Sequence, residues 1–186
     1  MALIPTSTTI PRAPGAATSP GPGSAEAIGD PAAAWPDVEQ RLRRGEATTW
    51  LSLRSEESVH TRPVFAAWTG ATFVHASNAG AVKARYLDTG APCSLALTFD
   101  DLHLSVVVRP VRLTTGLDLE RAVAAFSDVY GWPTTVAGDQ LDAPYAAPSS
   151  GGPPFNVYEL TPLRAWAFPT ADQFEPTRFA FGPGRG

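Results

Sequence analysis

Apolar positions divide the chain into a stretch without period, a series of alternating segments and one clear helical repeat. From 1 to 34 the residues are mostly Ala, Pro, Gly, Ser and Thr, with charge only at Arg12, Glu26 and Asp30. Neither a period of 2 nor one of 3.6 emerges, which predicts a disordered tail over 1–34. Order is expected from Trp35, where Pro36 near the first helical position, acidic Asp37 and Glu39, and a stop at Gly45 predict a short helix. Thr48 to Leu53 is β-branched and aromatic and predicts a strand. His60 to Trp68 predicts a longer one, joined across Thr69-Gly70 to Ala71–Ala76 as a hairpin.

Val82 to Asp88 breaks the alternation and runs to Gly90, predicting a helix of about two turns. Pro92–Phe99 and Leu102–Thr114 predict a second hairpin around Asp100-Asp101, with Pro110 implying an edge position or a bulge. Thr115 to Tyr130 carries Leu119, Val123, Phe126 and Tyr130 at helical spacing, opens on a Thr115/Asp118 cap and ends before Gly131. A long loop over 131–154, two strands at Phe155–Leu160 and Leu163–Phe168, and a trailing 182–186 complete the reading. Hairpin-joined strands with a few intervening helices predict an α+β domain over 35–181, a largely antiparallel barrel with its helices packed outside.

Composition narrows the function. The 186 residues carry a net charge of -4, with 44% hydrophobic and 17% charged residues. The arginines are scattered, so the basic stripe that phosphate-backbone binding requires is missing, and nucleic acid is not an expected partner. One cysteine, Cys93, closes no internal disulfide, and no Cys/His cluster has metal-ligand spacing. No apolar run reaches the length of a membrane span and no secretory leader pattern is present, so a cytoplasmic protein is expected.

Of the 14 basic residues Lys83 is the only lysine. It sits where Ser77-Asn78-Ala79-Gly80-Ala81 leads from a strand into Val82-Lys83-Ala84-Arg85. Small residues let the backbone approach an anion, a helix start offers N–H groups, and Lys83, Arg85 and Ser77 add side-chain donors: the outline of a phosphate cradle. An ordinary strand-to-helix turn that binds only water has the same outline. On the preceding strand, alternation places Arg62, Val64, Ala66 and Trp68 on one face and Pro63, Phe65 and Ala67 on the other, a surface suited to a flat aromatic ligand with a charged tail. A half-buried strand with a snorkelling arginine would read alike. His75 lies on the strand feeding the turn, while His60 and His103 lie near strand beginnings. No nucleophile motif, paired carboxylates or metal motif is present, so hydrolysis by the protein's own side chains is disfavoured.

The strings Thr61-Arg62-Pro63-Val64-Phe65-Ala66-Ala67-Trp68, Thr72-Phe73-Val74-His75-Ala76-Ser77 and Lys83-Ala84-Arg85-Tyr86-Leu87 resemble the pyridoxamine 5'-phosphate oxidase-like split-barrel flavin and deazaflavin oxidoreductases. Tyr130-Gly131-Trp132-Pro133, the stretch from Ala143-Pro144-Tyr145 through Pro154-Phe155-Asn156-Val157-Tyr158-Glu159-Leu160, and Pro176-Thr177-Arg178-Phe179 resemble an actinobacterial subgroup, so the likeness spans about Trp35 to Phe181. It implies a six-stranded split barrel that forms a homodimer with cofactor sites along the subunit interface. It further implies that Lys83, Arg85 and Ser77 hold the cofactor phosphate, that Arg62, Pro63, Val64 and Phe65 with His75 and Ala76 line the ring system, and that Trp132 and Arg178 close the site, from the second subunit if not the first. Two departures stand out. The turn before the cofactor strand, commonly Asp-Gly, is Ser55-Glu56-Glu57-Ser58, and the Arg-Leu-Xaa-Pro ending of pyridoxamine phosphate oxidases is missing from Phe179 to Gly186.

The resulting expectation is an oxidoreductase whose bound cofactor carries the hydride. Flavin mononucleotide (FMN) and the deazaflavin coenzyme F-420 both offer a phosphate and a tricyclic ring, and the residues do not choose between them. A non-catalytic flavin or haem carrier, with His75 or His60 as axial ligand, and a cofactor-free interaction domain are the competing readings.

Overall fold

The computed structural model describes residues 5–10, 33–56, 58–146, 150–171 and 174–182. In chain order the elements are β1 (Thr6–Thr9), α1 (Trp35–Arg44), β2 (Thr48–Arg54), β3 (Val59–Pro63), β4 (Ala67–Trp68), β5 (Phe73–Asn78), α2 (Val82–Leu87), β6 (Cys93–Thr98), β7 (Leu102–Leu113), α3 (Gly116–Tyr130), β8 (Thr135–Ala137), β9 (Gln140–Asp142), β10 (Phe155–Pro169) and β11 (Thr177–Ala180). All the pairings are antiparallel, in the order β1-β11-β10-β7-β6-β2-β3, so the fold is α+β as expected. β10 organises it. β7 occupies one edge of β10 from Val157 to Pro169, while β5 pairs along Phe155–Leu160 and β11 along Arg164–Ala167.

Alternation gives the sheet two faces. Leu51, Leu95, Val106 and Tyr158 point into one core, which α1 closes with Val38 and Leu42 and α2 with Ala84 and Leu87. Val74, Val157 and Phe155 point into a second core against Leu119, Ala122 and Phe126 of α3. The helices end as their residues dictate: Gly45 and Gly131 cap α1 and α3 with left-handed backbone, and the Thr115 side chain accepts from Asp118 N–H at the start of α3. Arg41 clamps α1 to the β6–β7 turn through both carboxylate oxygens of Asp101. Among the described residues no helix is long and apolar enough to cross a membrane.

Several expectations are corrected. The described residues contain eleven strands, not six. The run from His60 to Trp68 is broken, because after Pro63 the chain leaves the ladder at Val64–Ala66 and resumes as β4. The loop over 131–154 contains the β8–β9 hairpin, turned by Gly138 at positive φ. The strands expected at 155–160 and 163–168 are one, since Pro162, which lacks an N–H, is absorbed at a register shift between Pro162 and Arg164. Within the stretch assigned to a tail, Thr6–Thr9 adds β1 to the edge of β11, and the buried Ala33 donates its N–H to Thr177 Oγ1. Residues 11–32 and 183–186, to which the rest of the tail and the trailing end were assigned, lie outside the described residues.

Candidate functional site

The turn from β5 into α2 is held by its own hydrogen bonds. Ala79 N–H donates to Pro154 O (3.2 Å) and Ala81 N–H to Asn78 O (3.0 Å). Gly80 N–H donates to Asn78 Oδ1 (2.9 Å), while Asn78 Nδ2 donates to Gly152 O (2.6 Å). The small-residue backbone expected to cradle an anion is therefore committed internally, and α2 is only six residues long. Ser77 is buried, its hydroxyl turned to Asn78 O at 3.4 Å, so it does not offer the expected outward donor.

The side chains behave differently. Lys83 makes no hydrogen bond or ion pair with any described residue, and burial together with the neighbouring Arg62 charge holds its ammonium below the ordinary lysine range. Arg62 lies exposed on edge strand β3 and donates only to the adjacent Thr61 O (2.8 Å). His60 is held below the ordinary histidine range by burial and by the Arg62 and Lys83 charges. Two cations share this corner with no acid opposite them among the described residues. That fits a phosphate, because cations are rarely kept together and partly buried without an anion. Arg85 is exposed on the same helix.

His75 is buried, with Nδ1 2.8 Å from Phe65 O. A carbonyl only accepts, so Nδ1 carries the proton and Nε2 presents a lone pair, which has no partner among the described residues. Burial, then the Lys83 charge, push the ring's pKa down to about 4, so it is neutral. The irregular segment after Pro63 is pinned twice: by His75 at Phe65 O and by Ala66 N–H donating to Tyr130 Oη (3.0 Å). Val64 N–H reaches Thr49 O (2.9 Å). Phe65 is thereby held 46% exposed, its ring stacked on Tyr130 with centroids 4.3 Å apart and planes 15° from parallel. Trp132 meets Phe65 edge-on at 6.1 Å but is itself buried, with Nε1–H donating to Tyr145 O (2.9 Å). It supports the stack from behind and is not a lid.

No protein-family model matches the sequence, and no curated protein matches it. Solved structures do. A conserved hypothetical protein from Mycobacterium tuberculosis superposes with a TM-score of 0.55 at 14% identity, covering 77% of this chain and 89% of its own. A NimC/NimA family protein from Clostridium acetobutylicum gives 0.53 at 11% identity, covering 78% and 91%. The "putative pyridoxamine 5'-phosphate oxidase" of Listeria innocua gives 0.50 at 13% identity, covering 73% and 98%. The chain has the pyridoxamine 5'-phosphate oxidase-like fold.

Within this pyridoxamine 5'-phosphate oxidase-like fold one chain assembles only part of the expected site. Arg62, His75 and Lys83 come together, with Pro63, Val64 and Phe65 beside them. Ala76 does not join, because alternation along β5 turns it to the α3 side, opposite His75 and Ser77. Arg178 pairs with Trp166 on β10, whereas Ser77 pairs with Asn156, ten residues away and about 33 Å along the strand. In the sequence Tyr130 reads as a position on a helix face and as the start of the Tyr130-Gly131-Trp132-Pro133 string. Its second role was invisible because the residue it supports, Phe65, is remote in sequence.

Proposed function

We propose that this protein is an oxidoreductase that binds a phosphorylated tricyclic cofactor of the flavin class, FMN or the deazaflavin F-420, and works as a homodimer. The observation that carries this reading is the half-buried Lys83 beside Arg62, facing no acid among the described residues and linked through His75 to the segment that holds the Phe65 ring exposed. Lys83 and Arg62 hold the phosphate, with Arg85 lending charge from the same helix. Phe65, stiffened by Tyr130 and by the His75 bond to its carbonyl, gives the ring system a flat apolar wall. The bound cofactor supplies hydride transfer; the chain supplies orientation, charge and exclusion of water. The substrate in this reading is a small organic molecule.

The outer face of the sheet supports the dimer. Cross-strand pairing lines up Pro63, Trp50, Ala96, Ser105, Trp166 and Arg178 in one row, about 24 Å wide. Its middle, Ala96 and Ser105, is small, and beside it Trp50 is 42% exposed. A two-fold axis parallel to the strands between Ala96 and Ser105 would bring Arg178 of the partner subunit against Pro63, uniting it with the Arg62 corner. Haem ligation through His75 is disfavoured, because its Nε2 is enclosed by protein.

Fluorescence titration of the purified protein with FMN and with F-420 tests the proposal. One of them should bind, and Lys83→Ala should weaken binding at least tenfold. Binding of neither, or equal binding by the variant, overturns it.

A further inference from the structure

α2 cannot hold its own position. It has six residues, no side-chain N-cap, and a face on which Ala84 and Leu87 are buried and Tyr86 is partly buried. A helix this short is not stable alone, so its position depends on what it packs against and bonds to. Its azimuth nevertheless decides whether Lys83 points at Arg62 or into solvent.

A chain of hydrogen bonds runs beneath it through an otherwise apolar core. Gln140 Nε2 donates to Asn156 Oδ1 (2.8 Å), and Asn156 Nδ2 donates to Tyr158 Oη (3.3 Å). Tyr158 Oη reaches Asp88 Oδ1 at 2.8 Å and Ala84 O at 3.3 Å. Tyr158 and Ala84 are fully buried, and Asn156 nearly so. Every donor points the same way. The amide of β9 feeds the amide of β10, which feeds the phenol, and the phenol ends on a carboxylate that only accepts. With the phenol's proton on Asp88 the chain has one arrangement, and breaking either amide link leaves a polar atom of the buried Asn156 unsatisfied. The one phenolic proton goes to Asp88 Oδ1, the nearer acceptor, with Ala84 O beside it one helical turn earlier, so Tyr158 ties the end of α2 to β10. Resting on the cofactor reading above, we infer that Tyr158 and Asp88 are positioning residues that aim Lys83 at the cofactor phosphate, with Asn156 and Gln140 tying that aim to the β8–β9 hairpin.

The test exploits the single lysine, because protein grown on lysine carbon-labelled at Cε gives one NMR signal. In the ligand-free wild type that signal should titrate below the usual lysine value of about 10.4. In Tyr158→Phe and Asp88→Ala it should move up towards that value as Lys83 swings out. In Asp88→Asn, which keeps a carbonyl to accept the phenol's bond, it should stay with the wild type. Titration with FMN and riboflavin reads the same aim through the phosphate. Tyr158→Phe and Asp88→Ala should bind FMN about tenfold more weakly and riboflavin unchanged, and Asp88→Asn should bind both as the wild type does. A lysine signal that no variant moves, parallel loss of FMN and riboflavin, or Asp88→Asn behaving like Asp88→Ala overturns the inference. Asp88 is exposed, so its variants fold even if Tyr158→Phe does not. A wild type that binds neither FMN nor F-420, while the lysine signal responds as described, overturns the cofactor reading and leaves the positioning role standing.

Discussion

His75 shows how one side chain can serve the site without touching a ligand. Its proton is fixed on Nδ1 by Phe65 O, its ring is neutral, and its charged form is excluded by burial and by Lys83. The sign of the pH effect follows. The unfolded chain takes up a proton near the ordinary value of about 6.5 while the folded one does not until about 4, so stability is lost as pH falls through that window. The loss attributable to His75 is roughly 3 kcal/mol. His75→Asn, whose amide can still donate to Phe65 O, should flatten the fall between pH 6.5 and 4 in denaturant midpoints; a slope equal to the wild type would contradict the buried neutral ring. Lys83 was legible from composition, being the one lysine in the chain. The neutrality of His75 was not, because only the tertiary structure brings Phe65 O and Lys83 to it.

At the scale of elements, helix ends were readable because their signals are local. Gly45, at φ +69°, closes α1, and a Cβ there would lie 2.5 Å from Val129 Cγ1 and 3.0 Å from Val129 O. Gly45→Ala should therefore cost roughly 2–3 kcal/mol, seen as a fall in Tm of about 5–10 °C. Gly116→Ala, with nothing within 4 Å, should leave Tm nearly unchanged. Strand ends were less legible. The alternation of Arg62-Pro63-Val64-Phe65-Ala66 reads as an unbroken strand, yet the backbone leaves the ladder because Tyr130 and His75 supply the bonds a neighbouring strand would have given. The β8–β9 hairpin did carry a signal, Gly138-Asp139 between apolar positions, which was submerged in a segment rich in Pro, Gly and Ala.

For the whole molecule the consequential surface is the row from Pro63 to Arg178. An Ala96→Arg substitution adds a large charged side chain at its centre without touching either core. In sedimentation velocity the wild type should run as a dimer and Ala96→Arg as a monomer, with FMN affinity falling several-fold as Arg178 of the partner subunit is withdrawn. A variant that remains dimeric would place the interface elsewhere.

Local pattern was enough for the α+β class, the three helices, the caps of α1 and α3, the hairpin around Asp100-Asp101 and the small set of cations worth watching. These depend on contacts within a few residues or on the count of one residue type. Tertiary structure alone decided that the turn before α2 spends its backbone donors internally, that Ser77 is sealed, that Trp132 braces rather than covers, and that Arg178 stands at the far end of β10. Each depends on which strand lies against which, and β10 brings β5, β7 and β11 together from positions up to about a hundred residues apart. Local pattern fixes which residues can form an element; burial and cross-strand register fix what those residues meet.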